Sequence, residues 1–187
     1  MSAPLVFALY LRDAAGLGGA GGGGAGVPPL EPAVEWDARL APFATAGAAA
    51  QWSAWWESLQ DPADAARARF PSPDGTLSAF GADLQALAAI AAQDAHAWLA
   101  LRKREYTAGV VGGTDCGRST VGRVIREVER ELGRAAAPFE LVISVLPVRG
   151  RWGLRARRDH LLASGALRRD AAAFRAFLRP AIDELAR

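Results

Sequence analysis

Between Thr76 and Tyr106 the residues Leu77, Phe80, Leu84, Leu87, Ala91, Asp94, Trp98 and Leu101 recur at alternating spacings of three and four. That period marks one face of an α-helix, and only Asp94 breaks the apolar row. The alanines between them favour helix and let neighbouring elements approach closely. Asp74 or Ser78 is placed to cap its start. The rest of the fold has to accommodate this one long helix.

Shorter elements flank it. Residues 4–12, PLVFALYLR, are aromatic and branched, which predicts a strand. Ala14 to Pro29 holds eight glycines and ends in Pro28-Pro29, so a mobile loop or linker is expected over residues 14–30. Residues 47–60 predict a helix and residues 61–75 a connecting loop. A further helix is expected over Thr120–Leu132, with Ser119 or Thr120 as its cap and Gly133 closing it. Phe139–Val148 and Trp152–Ser164 flank Arg149-Gly150-Arg151 and predict an antiparallel hairpin. Asp170 then caps a last helix, in which Pro180 predicts a kink or break. A lone hairpin is marginal in water, so the N-terminal strand is expected to pair with it. These elements predict one α+β domain over residues 1–187: a small antiparallel sheet, with about four helices on one side.

Composition narrows the class more than the function. Of 187 residues, 42 are Ala, 21 Arg, 20 Gly and 11 Pro, the amino acids of GC-rich codons. Cys116 is the single cysteine, which excludes an intramolecular disulfide. No cluster of Cys and His predicts a metal site, and no cofactor is expected. Apolar runs fall far short of the roughly 20 residues that span a bilayer, and the N-terminus lacks a basic leader pattern. A cytoplasmic protein without membrane contact is expected.

Charge is unevenly placed. Residues 1–100 carry 4 basic and 10 acidic groups, and residues 101–187 carry 18 basic and 10 acidic groups. Such polarity either orients a partner or draws the two halves of one fold together. In an extended chain Arg151, Arg155 and Arg157 share a face, with Arg149, Arg158, Arg168 and Arg169 near them in sequence. Arg102-Lys103-Arg104 forms a second cluster. These residues suit an anion, a nucleic acid or an acidic protein surface. The alternative is a solvated face paired with Glu127, Glu129 and Glu131.

Trp52, Trp55, Trp56 and Leu59 fall on one helical face. A tryptophan stripe is either a partner-binding anchor or core, and in a core each indole N–H needs an acceptor. Gly112 to Thr120 matches the phosphate-loop pattern except that Arg118 stands where lysine belongs. The alternative is a plain loop between helices. Asp94 and His96 are two apart on a helix and point in different directions. An acid–base pair of His160 with Asp94 or Asp159 has no nucleophile placed beside it. Cys116 lies near Arg118 and a helix start, conditions that lower a thiol pKa.

Arg126–Phe139, the segments Asp159–Leu162 and Ala166–Asp170, and Leu178-Arg179-Pro180 resemble a group of uncharacterised actinobacterial proteins. The resemblance covers the C-terminal third and implies a bacterial protein with an ordered C-terminal module, and no catalytic residue. The residues together predict a non-catalytic protein that binds a protein partner or assembles with itself. The alternatives are an anion or nucleic-acid binder, and a nucleotide-dependent enzyme using the degenerate phosphate loop.

Overall fold

A computed structural model of the chain describes residues 1–18, 26–61, 63, 81–111 and 117–187. The fold is α+β, with six α-helices, one 3₁₀-helix and a three-stranded sheet among the described residues. The opening apolar run is a helix, α1 (Ala3–Ala15), and not the strand its residue types predict. Leu5 to Leu9 are each fully buried, so this helix is apolar on every side. Such a helix shows no 3.6-residue period, and a short apolar run alone does not separate it from a strand. Its ends carry the missing signal. Pro4 fits the first turn, where no N–H is needed, and Gly16 closes the helix at φ +67°.

Helix α2 (Ala46–Leu59) begins where the Thr45 hydroxyl accepts the Ala48 N–H at 3.0 Å. Its tryptophan stripe turns inward against α1. Trp52, Trp55 and Trp56 are 0%, 3% and 3% exposed. Trp52 Nε1 donates to the Ala8 carbonyl at 2.7 Å, which meets the indole's need for an acceptor. The Trp52 and Trp56 rings stack at 5.9 Å, and Phe7 meets Trp55 edge-on at 6.1 Å. The stripe is core and offers no surface to a partner.

Helix α3 (Ala82–Val111) buries Leu84, Leu87, Ala88, Ala91, Ala95 and Leu99. Asp94 stands outside this stripe and pairs with Arg39 at 2.5 Å, on a short 3₁₀-helix (Ala38–Phe43). Leu101 is half exposed, so the buried row runs through Leu99 instead. The expected start of the helix, Thr76–Phe80, and its candidate caps lie outside the described residues.

The sheet differs from the predicted one in pairing and in cover. Strands β1 (Val142–Leu146), β2 (Gly153–Arg157) and β3 (His160–Ser164) lie in the order β1-β3-β2. β1 runs parallel to β3, and β2 pairs antiparallel with β3 through a two-residue turn at Arg158-Asp159. That turn splits the predicted second strand, and the new strand β3 inserts between the other two. The N-terminal contribution is not residues 4–12 but a single bridge of Leu30 to Val148. Around it Glu31 N–H donates to the Pro147 carbonyl at 2.8 Å and Arg149 N–H to the Pro29 carbonyl at 2.9 Å. Buried Arg12 fixes this segment from α1, donating to the carbonyls of Val27 and Pro28 at 2.8 Å each. The expected loop over 14–30 is therefore shorter: Ala14 and Ala15 are helical, 27–30 are anchored, and 19–25 lie outside the described residues.

Helices cover both faces of the sheet rather than one. Leu146 and Leu162 join the cluster built by α1, α2 and α3, while Leu161 and Ala163 join a second cluster. The second cluster comes from α4 (Gly117–Leu132) and α6 (Ala171–Ala186), through Val124, Val128, Phe174, Leu178 and Ile182. Asp170 caps α6 as predicted, accepting Ala173 N–H at 3.0 Å. The helix runs through Pro180 without breaking, because Pro180 sits on its solvent side where water reaches the freed carbonyl. Gly153 is required by packing: a Cβ there would lie 2.8 Å from Leu167 and Phe177 side-chain atoms. α4 begins at Gly117, so neither Ser119 nor Thr120 caps it.

Replacing Trp52 tests this core. Trp52→Ala is expected to lower unfolding free energy by about 3–5 kcal/mol. Trp52→Phe removes mainly the hydrogen bond and is expected to lower it by about 1 kcal/mol. Urea denaturation reads both, and an alanine loss below 1 kcal/mol would contradict the packing.

Candidate functional site

Beyond Leu99 the inward face of α3 continues as the half-buried Arg102, Tyr106 and Gly109, spaced three, four and three residues apart. There the helix passes the C-terminal ends of β1 and β3. β3 leads into a single-turn helix, α5 (Gly165–Arg169), whose cap is the fully buried Ser164. The Ser164 hydroxyl accepts from Leu167 N–H and Trp152 N–H, each at 3.0 Å. Arg168 and Arg169 close α5 and face α3 across a cleft of about 300 Å³. Val145 to Val148 form its apolar wall, and Glu31 and Glu105 stand at its margin.

The cleft's arginines are held by aromatic rings. Arg168 Nη1 donates to the Tyr106 hydroxyl at 2.5 Å, with its guanidinium 5.8 Å from that ring's centre. The Arg102 guanidinium lies 5.5 Å from the Trp98 ring, and its Nη1 meets Glu105 at 2.8 Å. Arg102 Nε is buried without a hydrogen-bond partner among the described residues. Met1 also lines the cleft.

The arginines singled out on the hairpin are placed otherwise. Arg151 pairs with Asp170 at 2.7 Å and Arg155 with Glu184 at 2.8 Å. Arg155 also donates to the carbonyls of Arg157 and Arg158, and a bulge between Arg155 and Arg157 breaks their common register. Arg157 is exposed. The three do not gather into one site. Glu127 and Glu131 pair with Arg175 and Arg179 of α6 rather than with hairpin arginines, and Glu129 accepts the Ala136 N–H at 3.1 Å.

Of the remaining candidates, Asp94 is tied to Arg39, and the His96 ring lies 6.5 Å from Phe7. Gly112–Cys116, the heart of the phosphate-loop pattern and of the thiol candidate, lies outside the described residues. His160 is 1% exposed and does have a hydroxyl beside it: Nε2 lies 2.9 Å from Ser144 Oγ, and Nδ1 lies 2.6 Å from the Gln60 carbonyl. Sequence reasoning missed Tyr106, Ser144 and Gln60. Tyr106 was findable, because it continues the true stripe of α3. Ser144 and Gln60 were not, because a parallel strand pair and a contact across 100 residues leave no local period.

Among the described residues no group of three or more His, Cys, Asp and Glu is placed to hold a metal ion, and no helix is long and apolar enough to cross a membrane. No protein-family model, curated protein or solved structure matches the chain.

The ion pairs of the C-terminal half set an acid limit. The Asp170 carboxyl is held below its usual range by the Ala173 N–H and then by Arg151. Glu184 is held low by Arg155, and Glu131 by Arg179. Each therefore binds its proton less readily folded than unfolded, so it adds stability above its ordinary value and loses it as pH falls through the lower folded one. The melting temperature is expected to fall as pH drops below about 4.5, the ordinary glutamate value. Thermal melts of Glu184→Gln should show a shallower fall, and an identical profile would count against the pairing.

Proposed function

We propose that the chain binds a small, singly charged anion with an apolar body in the cleft between α3, α5 and the end of β1. Arg102 carries the argument. Burying a guanidinium N–H without an acceptor costs about 1–3 kcal/mol, and a fold that needed only packing would place an apolar side chain there. Groups kept against stability mark functional sites more often than structural ones.

Position and lining support the same reading. Ligands of open α/β sheets settle beyond the carboxyl ends of parallel strands, which is where this cleft lies, although the likeness to those sheets is one of geometry only. Arg102, Arg168 and Arg169 line the cleft together with Glu31 and Glu105. A carboxylate suits the charge-assisted contact that Arg102 offers, whereas a polyphosphate or nucleic acid would meet the two glutamates. Val145 to Val148 suit a hydrocarbon or aryl group, and about 300 Å³ lies at the small end of ligand pockets. On the hairpin face Arg151 and Arg155 are engaged in ion pairs, and the tryptophans that suggested a protein partner are in the core.

Calorimetric titration with benzoate, hexanoate, inorganic phosphate and an oligothymidylate tests the proposal. The carboxylates are expected to bind with a shallow salt dependence, in contrast to the steep one of a polyanion. Arg102→Leu should weaken binding at least about tenfold, the loss of one charge-assisted contact, while leaving the melting temperature equal or higher. Binding of the oligothymidylate alone, or carboxylate binding indifferent to Arg102→Leu and Arg168→Gln, would overturn it.

A further inference from the structure

Gln60, His160 and Ser144 form a chain of hydrogen bonds apart from the cleft. The Gln60 carbonyl only accepts, so the contact at 2.6 Å requires that His160 Nδ1 carry a hydrogen. In the neutral ring Nε2 is then the lone-pair nitrogen, and the Ser144 hydroxyl at 2.9 Å donates to it. The parallel register sets this up. Val142 lies opposite His160 and Ser144 opposite Leu162, so Ser144 and His160 share one sheet face, offset by two residues. His160 is almost wholly buried, with its ring fixed at both nitrogens, whereas Ser144 is only partly buried.

A hydroxyl bonded to a base that is itself oriented by a third group is the constellation of an activated serine. The Nδ1 bond ties the loop after α2 to the sheet. The second bond satisfies the buried ring's other nitrogen with the hydroxyl of a partly buried serine, so one contact both meets the ring's need and places Oγ on a base.

We propose that Ser144 is a nucleophile that takes an acyl group from small uncharged esters, with His160 as its base. Its neighbours on that face, Leu146 and Leu162, are fully buried and would desolvate a charged group, hence the uncharged substrate. In the step, the Ser144 O–H bond breaks as its proton passes to His160 Nε2, and Oγ bonds to the ester carbonyl carbon. The ester C–O bond then breaks, and the alcohol leaves with the proton from Nε2, giving acyl-serine. Water reverses the sequence and releases the acid. A neutral carbonyl steadies the imidazolium less than a carboxylate would, so turnover is expected to be slow. A stoichiometric probe therefore reads the pair better than steady-state kinetics.

The full chain is incubated with an alkyl fluorophosphonate, which forms an Oγ–P bond and releases fluoride, and the adduct is mapped by peptide mass spectrometry. One adduct is expected, on Ser144, formed more slowly in D2O than in H2O. His160→Gln should slow it by about 100-fold, the low end of what a general base contributes. Circular dichroism identifies a variant that has failed to fold, and the isotope effect on the wild-type chain then stands in its place. Folded wild-type protein without an adduct at Ser144 overturns the proposal. So does labelling with no isotope effect, or with a folded His160→Gln reacting at the wild-type rate.

Discussion

The structure depends on the burial of β3 from both sides. All five of its residues are buried, yet the sheet has only three strands of five residues each. So small a sheet cannot stand in water and needs a cover on each face. α1, α2 and α3 supply one cover and α4 and α6 the other, and each has an apolar cluster of its own. A strand covered on both faces loses the in-out alternation of a half-buried one. His-Leu-Leu-Ala-Ser is such a stretch, and its two polar ends, His160 and Ser164, are fully buried because both make side-chain hydrogen bonds.

Those two ends organise the chemistry of the molecule. Ser164, at the C-terminal end, caps α5 and so aims Arg168 and Arg169 at α3. His160, at the N-terminal end, reaches Gln60 and Ser144. The same parallel pairing of β1 with β3 accounts for both placements. It brings two carboxyl strand ends together at the cleft, and it sets Ser144 on the face that His160 occupies. An antiparallel hairpin of β1 and β2 would have done neither.

What the sequence disclosed follows the range of each signal. Helical periods, the Asp170 cap and the common face of the three tryptophans were legible because their causes lie within a few residues, whereas the direction of that face, anchor or core, was not. α1 was misread because burial all round erases the period, although Pro4 and Gly16 marked its ends. The sheet order was illegible because β3 inserts between two strands joined by an obvious turn, a choice made by the packing of Leu161 and Leu162 on opposite clusters. The cleft was half legible. Arg102 and Arg168 each belonged to a visible cluster, but their meeting depends on where α3 passes the strand ends.

That meeting also resolves the uneven charge. Several of the arginines after residue 100 answer carboxylates of the same half: Arg151 to Asp170, Arg155 and Arg158 to Glu184, Arg175 to Glu127, and Arg179 to Glu131. Exposed pairs of this kind contribute little each, so their number reflects composition more than design. Arg102 and Arg168 differ in kind. They lie against Trp98 and Tyr106, beside an apolar wall, where a guanidinium is less hydrated and its attraction for an anion is stronger than at the open surface. A GC-rich genome can supply arginine in quantity, but it has no means of choosing which ones meet a ring at a strand end. The placement of these two, and not the basic excess of the C-terminal half, is the feature that function has to explain.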